Sequence, residues 1–108
     1  MCVFCEKPLS LFDNEGAFVQ RSLYPVSEGH LLVIPRNHFT DPCEFLNLHA
    51  ANFAAAVYMA RAIINLEVST DLIPAYDGLT MGFNHGAAAG QTIEHVHFHV
   101  IPRRFGDV

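Results

Sequence analysis

Residues 95–101 read His95-Val96-His97-Phe98-His99-Val100-Ile101, with an imidazole at every second position and apolar residues between them. In a β-strand, alternate side chains point to opposite faces of the sheet. The spacing therefore predicts a strand that carries His95, His97 and His99 on one face and buries the residues between them. Seven histidines in 108 residues would give such a triplet by chance in roughly 3% of sequences, so composition explains it poorly.

The triplet alone leaves three interpretations open. Imidazole titrates near neutral pH and serves as nucleophile, proton carrier or metal ligand. The rings could be a solvated surface feature, a metal cluster or the reactive groups of an enzyme. The metal cluster is an alternative because His-x-His on a strand suits zinc. The residues around the triplet favour the third interpretation.

Neutral polar residues precede the triplet. Asn84 and the run Gly90-Gln91-Thr92 bound a small-residue loop between strands predicted over 79–84 and 93–101. If these strands form a hairpin, the polar residues gather at the same end of the strand as the imidazoles. Uncharged donors, and backbone N–H groups made accessible by glycine, suit a phosphoryl group whose charge must be stabilised during reaction.

Two earlier strands and one long helix complete the predicted fold. Apolar runs predict strands over 17–23 and 30–35. A helix from after Asn47 to about Leu66 is predicted by apolar residues at three- and four-residue steps, namely Leu48, Ala51, Ala55, Tyr58, Ala62 and Leu66. Asp41, followed by proline, predicts a separate short helical turn before it. This order of elements predicts an α+β fold with an antiparallel sheet.

Length and composition limit the class of protein. A chain of 108 residues that is 51% hydrophobic and 16% charged predicts one globular domain over residues 1–108. The net charge of −5 argues against a nucleic-acid partner, and the paired Arg103 and Arg104 are interpreted as a solvated edge. No apolar run reaches transmembrane length and the first six residues lack a signal-peptide pattern, so we expect no membrane partner and a cytoplasmic location. Three cysteines favour thiols or metal ligands over disulfides.

The combined spacing resembles the histidine triad (HIT) superfamily. Asn84 stands eleven residues before His95, Gly90-Gln91-Thr92 lies between them, and the block Gly29–His38 precedes both. The resemblance implies an α+β fold with a mainly antiparallel sheet of about five strands, one long helix and a short helical turn. It also implies a homodimer, with the long helix and a sheet edge at the contact.

The resemblance implies hydrolysis or transfer at the α-phosphate of a nucleoside phosphate compound, such as a dinucleoside polyphosphate, a phosphoramidate or an acyl adenylate. His97 would attack phosphorus and form a nucleotidyl-histidine, while a backbone carbonyl at His95 holds its other nitrogen as N–H. The implied catalytic residues are His30, Gln91, His95, His97 and His99, and the implied substrate-binding residues are Ser22, Asn84, Gly90 and Thr92. Ser22 replaces an acidic residue that holds the ribose in many relatives, so no base preference is predicted.

Cys2 and Cys5 form a second cluster. A thiolate pair separated by two residues is half of a tetrahedral zinc site, and the alternatives are a redox pair and two ordinary thiols. The resemblance implies His38 and His95 as the other ligands of a structural zinc, with no organic cofactor. The alternative to an enzyme is a non-enzymatic zinc- or nucleotide-binding module, which metal bound by His97 and His99 would favour.

Overall fold

The computed structural model describes residues 2–6 and 10–107. Its strands are β1 (Phe12–Asp13), β2 (Ala17–Arg21), β3 (Leu31–Pro35), β4 (Gly78–Phe83) and β5 (Phe98–Arg103). Its helices are α1 (Val3–Glu6), α2 (Pro42–Ser69) and a 3-10 turn at Ala87–Ala89. The strands form one antiparallel sheet in the order β1-β2-β3-β5-β4, which confirms the predicted α+β fold. Among the described residues we find no helix with the length and apolar character needed to cross a bilayer.

The central strand β3 is buried along its whole length because both faces of the sheet are covered. On the α2 side, alternate strand residues pack with the helix in one apolar cluster, which includes Ala17, Val19, Leu31, Val33 and Phe45. On the opposite face a smaller cluster contains Phe4, Phe18, Leu32 and Ile34. Burial on both faces is why residues 30–35 form a continuous apolar run in the sequence.

Helix α2 begins at Pro42, earlier than the predicted start after Asn47. The side chain of Asp41 accepts the N–H of Cys43 at 2.9 Å, and Pro42 fills the first helical position, where its missing N–H costs nothing. The turn predicted as separate is therefore the first turn of this helix. The predicted break persists as a kink at His49, where φ is −133° and ψ is 30°. The helix also continues beyond the predicted end, to Ser69.

Helix α2 carries two apolar faces. The face toward the sheet buries Phe45, Ala56, Ala60 and Ile64. The repeating residues that predicted the helix lie on the exposed side, and we call them the outer helix stripe: Leu48, Ala51, Ala55, Tyr58, Ala62 and Leu66. Its three large residues are between 62% and 75% exposed. A contiguous exposed apolar stripe is typical of an interaction surface.

Strand β5 begins at Phe98, whereas the sequence predicted a strand from residue 93. The neighbouring strand β4 ends at Phe83, which pairs with Phe98, so residues 93–97 extend past the end of their predicted partner. The alternation of faces nevertheless continues through them, because Val96 and Val100 are both buried in the α2-side cluster. The histidines between and beside them therefore share the opposite face, as predicted.

Candidate active site

Four histidines lie close together on the sheet face opposite α2. His95 and His97 precede β5, His99 lies within it, and His30 immediately precedes β3. His99 pairs in register with Leu32 of β3, which brings His30 beside it. The ring centroids of His97 and His99 are 5.1 Å apart, and those of His30 and His99 are 5.2 Å apart. Sheet register thus joins residues that are distant in sequence.

His97 is 7% exposed, and one backbone contact determines the tautomer of its neutral ring. Its Nδ1–H donates to the carbonyl oxygen of His95 at 3.0 Å. A carbonyl oxygen only accepts, so the proton of the neutral ring lies on Nδ1 and Nε2 keeps its lone pair. An imidazole held in this tautomer can act as a nucleophile through Nε2.

His30 and His99 form a second pair of linked rings. The Val26 N–H donates to Nδ1 of His30 at 3.1 Å, so the proton of neutral His30 lies on Nε2. That N–H donates to Nδ1 of His99 at 2.9 Å, which leaves the proton of His99 on Nε2. Burial, then the neighbouring His99 and His97, lowers the pKa of His30 to about 4. Burial and then His97 lower the pKa of His99 as well, so both rings are uncharged at neutral pH.

A cavity of about 150 Å³ adjoins these rings. Besides His30, His97 and His99, it is lined by Phe4, Ser22, Tyr24, Val26, Thr92 and Ile93, among others. A more open cavity of about 550 Å³ shares its walls at Leu23, Tyr24, Thr92 and Ile93. Apolar walls around a few converging polar groups are typical of a small-molecule site.

The apolar walls of this cavity were missed in the sequence. Leu23 and Tyr24 lie in the connection between β2 and β3 and are 66% and 86% exposed. The signal was the apolar run Leu23-Tyr24-Pro25-Val26, which begins at the end of the strand predicted over 17–23 and continues into a segment interpreted only as a loop. Large exposed apolar side chains on a loop often mark a ligand site.

The loop before the triplet is held by its own side chains. Asn84 Nδ2–H donates to the Ala89 carbonyl at 2.7 Å, and Gln91 Oε1 accepts the Gly86 N–H at 2.7 Å. Gln91 Nε2 donates to the carbonyls of residues 93 and 94, each at 2.9 Å. Gly90 ends the 3-10 turn with a φ of +91°, which a side chain would strain. Asn84 and Gln91 therefore shape this loop, whereas Thr92 lines the cavity with the histidines.

His95 also belongs to a second group, of four side chains that could bind a metal ion: Cys2, Cys5, His38 and His95. Nδ1 of His95 lies 3.3 Å from Sγ of Cys2 and 3.6 Å from Sγ of Cys5, and Nδ1 of His38 lies 3.4 Å from Sγ of Cys5. In a tetrahedral zinc site the ligand atoms are about 3.3–3.8 Å apart. His95 Nε2–H also donates to the carbonyl of Pro35 at 2.8 Å, which turns its Nδ1 lone pair to the thiols, as a zinc ligand requires. Two thiols and two imidazoles at this spacing fit zinc.

His95 and Phe4 connect this cluster to the cavity. The ring of His95 is one of the four groups that could bind a metal ion, while its backbone carbonyl accepts the hydrogen bond from His97. Phe4 lies between Cys2 and Cys5 in the sequence and is 1% exposed. Its ring centroid is 5.7 Å from that of His95 and 5.1 Å from that of His97. The turn that carries both thiols is therefore also a wall of the cavity.

Sequence comparisons identify similar proteins over nearly the whole chain. The HIT domain family model matches residues 7–106. An uncharacterized HIT-like protein of Methanocaldococcus jannaschii is 34% identical over 99% of this chain and 82% of its own length. An adenylylsulfatase of Arabidopsis thaliana is 33% identical over 98% of this chain, and an AP-4-A phosphorylase of Mycobacterium tuberculosis is 34% identical over 96%. The chain spans 54% of the length of each of these two enzymes.

Solved structures have the same fold. A HIT family protein from Bacillus subtilis aligns with a TM-score of 0.81 and 29% identity, over 98% of this chain and 75% of that one. A Zn-bound histidine triad family protein from Mycobacterium smegmatis aligns with a TM-score of 0.69 and 32% identity, over 98% of this chain and 77% of that one. The matched family model, the shared fold and the histidine cluster agree, and the chain belongs to the HIT domain family.

Proposed function

We propose that the protein is a hydrolase or transferase that acts at the α-phosphate of a nucleoside phosphate compound and forms a nucleotidyl-histidine on His97. The observation that carries this proposal is the hydrogen bond from His97 Nδ1–H to the His95 carbonyl, 3.0 Å long. In the neutral ring it leaves the lone pair on Nε2, beside a cavity of about 150 Å³ that shares walls with one of about 550 Å³, a volume in the range of small-molecule sites. Two relatives, the adenylylsulfatase and the AP-4-A phosphorylase, support a nucleotide substrate by their names.

The reaction has two steps at phosphorus. First, the Nε2 lone pair of His97 forms a bond to the α-phosphorus while the bond to the leaving group breaks, and the leaving group keeps that electron pair. The ring then carries a positive charge, which the His95 carbonyl stabilises by accepting Nδ1–H. Second, water attacks phosphorus, the N–P bond breaks, its electrons return to Nε2, and one proton of the water is released. Phosphate in place of water would give transfer.

His99 would bind a phosphate oxygen or the leaving group through Nε2–H. Because its pKa is lowered, His99 acts as a neutral donor and stabilises charge by hydrogen bonding, without giving up its proton. This favours leaving groups that are stable anions, such as the phosphate, sulfate or carboxylate end of an anhydride. Thr92 and Ser22 would add hydroxyl contacts, and Asn84 and Gln91 would shape the loop whose backbone at Gly90 approaches the phosphate.

We also propose that Cys2, Cys5, His38 and His95 hold a structural zinc ion. When bound, zinc would crosslink the N-terminal turn to the sheet and supply no reaction chemistry. The spacing of the four ligand atoms, all within 4.8 Å of one another, and the Zn-bound relative support this. His97 lies outside this set and would remain available as the nucleophile, which favours the enzyme over the binding module.

The proposed function is tested with a panel of diadenosine tetraphosphate, adenosine 5′-phosphosulfate, adenosine 5′-phosphoramidate and an acyl adenylate. We expect release of adenosine monophosphate from at least one of them, or of adenosine diphosphate when phosphate is the acceptor. A phosphate ester without a nucleoside, p-nitrophenyl phosphate, serves as the control and should not react. Nucleotide binding without turnover of any compound would contradict the proposal and favour the binding module.

We further propose that two copies of the chain associate through the outer helix stripe. The stripe presents large apolar side chains on one side of α2, and burying such residues between two copies provides the driving force for association. Strand β4 is an edge strand of the sheet, and its Met81 is 46% exposed, so it offers the sheet edge for the same contact.

Tyr58→Asp is expected to convert this dimer to a monomer, because a carboxylate at the centre of the stripe would be buried without a partner. Sedimentation velocity at micromolar concentration measures the change. Tyr24→Asp is the matched control and should remain dimeric, since Tyr24 is also highly exposed but lies in the connection between β2 and β3. A wild-type protein that sediments as a monomer, or a Tyr58→Asp variant that stays dimeric, would contradict this interface.

A further inference from the structure

We propose that Arg104 is a positioning residue, which fixes the loop over residues 22–30 so that His30 and His99 keep the tautomers needed for reaction. We call this segment the cavity loop, because Ser22, Leu23, Tyr24, Val26 and His30 line the smaller cavity. The proposal rests on the proposed function for its catalytic consequence. The claim that Arg104 determines the tautomers depends only on contacts within the chain and does not depend on the proposed function.

Arg104 does not form the solvated edge expected from the sequence. Its Nη1 donates to Ser27 Oγ at 2.7 Å and to the Glu28 carbonyl at 3.2 Å. Its Nη2 donates to the Pro74 carbonyl at 2.8 Å, and its Nε to the Ala75 carbonyl at 3.0 Å. The guanidinium group thus joins the cavity loop to the segment that leads from α2 into β4.

The part of the cavity loop that Arg104 contacts also determines which ring nitrogen of His30 carries the proton. Ser27 and Glu28 directly follow Val26, whose N–H donates to Nδ1 of His30, and the His30 N–H donates to the Ser27 carbonyl at 3.1 Å. Gly29 packs at the same place with a φ of +92°, where an added Cβ would lie 2.6 Å from Ile73. A small displacement of this loop would therefore remove the Val26 N–H from His30.

Loss of the Val26 contact would allow the next hydrogen bond to run in either direction. Nδ1 of His30 would be free to carry the proton, and Nε2 of His30 would then accept from Nδ1–H of His99. In that arrangement Nε2 of His99 is an unprotonated acceptor, which repels a phosphate oxygen where a donor is required. Arg104 acts through the loop and His30, and it need not touch the substrate.

Arg103 offers a matched control. It has the same side chain, one residue earlier, and its guanidinium group binds the Asp107 carboxylate, with Nε and Nη2 each at 3.0 Å from an oxygen. Among the contacts that the structure describes, this guanidinium group reaches neither the cavity loop nor the histidines. Arg103→Gln therefore removes a nearby arginine without releasing the loop.

The test compares wild type, Arg104→Gln, Arg104→Lys and Arg103→Gln by ¹⁵N NMR of the histidine rings and by steady-state kinetics. We expect both Arg104 variants to show a mixture of tautomers at His30 and His99 and about a tenfold loss of kcat, while Arg103→Gln matches wild type in both. A lysine cannot reproduce the planar fork that reaches two loops at once, so Arg104→Lys should not rescue.

Unchanged tautomers in the Arg104 variants would overturn the proposal, even if their Tm falls. Changed tautomers with wild-type kcat would overturn its catalytic part. The NMR comparison needs no substrate, so it decides the positioning role even if no nucleotide is turned over. Absence of turnover in wild type would instead refute the proposed function.

Discussion

Replacing His97 with glycine is expected to lower kcat by about 10⁴-fold or more, the scale of loss seen when a covalent nucleophile is removed. The two other imidazoles of the cavity offer no second route, because His30 Nε2–H donates to His99 and the proton of neutral His99 occupies its own Nε2. Neither ring can substitute as a nucleophile without changing its tautomer. His97→Asn should lose as much activity, since an amide nitrogen has no available lone pair.

Binding should survive the same substitution. A non-hydrolysable nucleotide analogue is expected to bind His97→Gly within a few-fold of wild type, because Thr92, Ser22 and the apolar walls of the cavity remain. Isothermal titration calorimetry measures the affinity, and His85→Gly, at an exposed loop position, controls for loss of a histidine. A His97→Gly variant that retains the full rate would show that the nucleophile is assigned wrongly.

Loss of the metal cluster is expected to destabilise the N-terminal turn and to weaken nucleotide binding together. Without a crosslink from Cys2 and Cys5 to the sheet, the turn that buries Phe4 to 1% exposure loses an anchor. Exposing one phenylalanine side chain costs about 2 kcal/mol, which corresponds to a fall in Tm of roughly 10 °C for a domain of this size. Because Phe4 is also a wall of the cavity, the affinity for nucleotide should fall as well.

The measurement uses Cys2→Ser and Cys5→Ser, with zinc content by mass spectrometry and Tm by calorimetry. We expect each variant to lose its zinc and to show the fall in Tm. Cys43→Ser is the matched control, because Cys43 is an exposed residue of the first turn of α2 outside the cluster. Full zinc content and an unchanged Tm in both cluster variants would contradict the assigned site. Zinc that depends on His97 and His99 would favour the binding module.

The sequence predicted those parts of the fold that depend on local pattern. Residues 31–35 are buried on both faces, and their continuous apolar run predicted the strand. The helix was predicted from its outer stripe, and its true start at Pro42 was misread because the kink at His49 interrupts the periodicity. The start of β5 at Phe98 depends on where β4 ends, which is a property of pairing and is absent from the local sequence.

The features of the candidate site that form a local sequence motif were predictable. Those that depend on contacts between distant parts of the chain were not. The alternation of His95, His97 and His99 and the Cys2-x-x-Cys5 spacing are visible in the sequence. The bonds from Gln91 to its own loop and those from Arg104 to two other loops depend on backbone atoms brought together by folding. A residue type alone does not reveal such partners.

The most direct test of the account is the location of nucleotide on the protein during turnover. The protein is mixed with the best substrate of the panel, quenched at alkaline pH within the first turnovers, digested, and sequenced by tandem mass spectrometry. A nucleoside monophosphate attached to His97, absent in His97→Gly and removed by brief acid treatment, is the result that we predict. Turnover with no adduct at any time point, or with the nucleotide on another residue, would contradict the central claim.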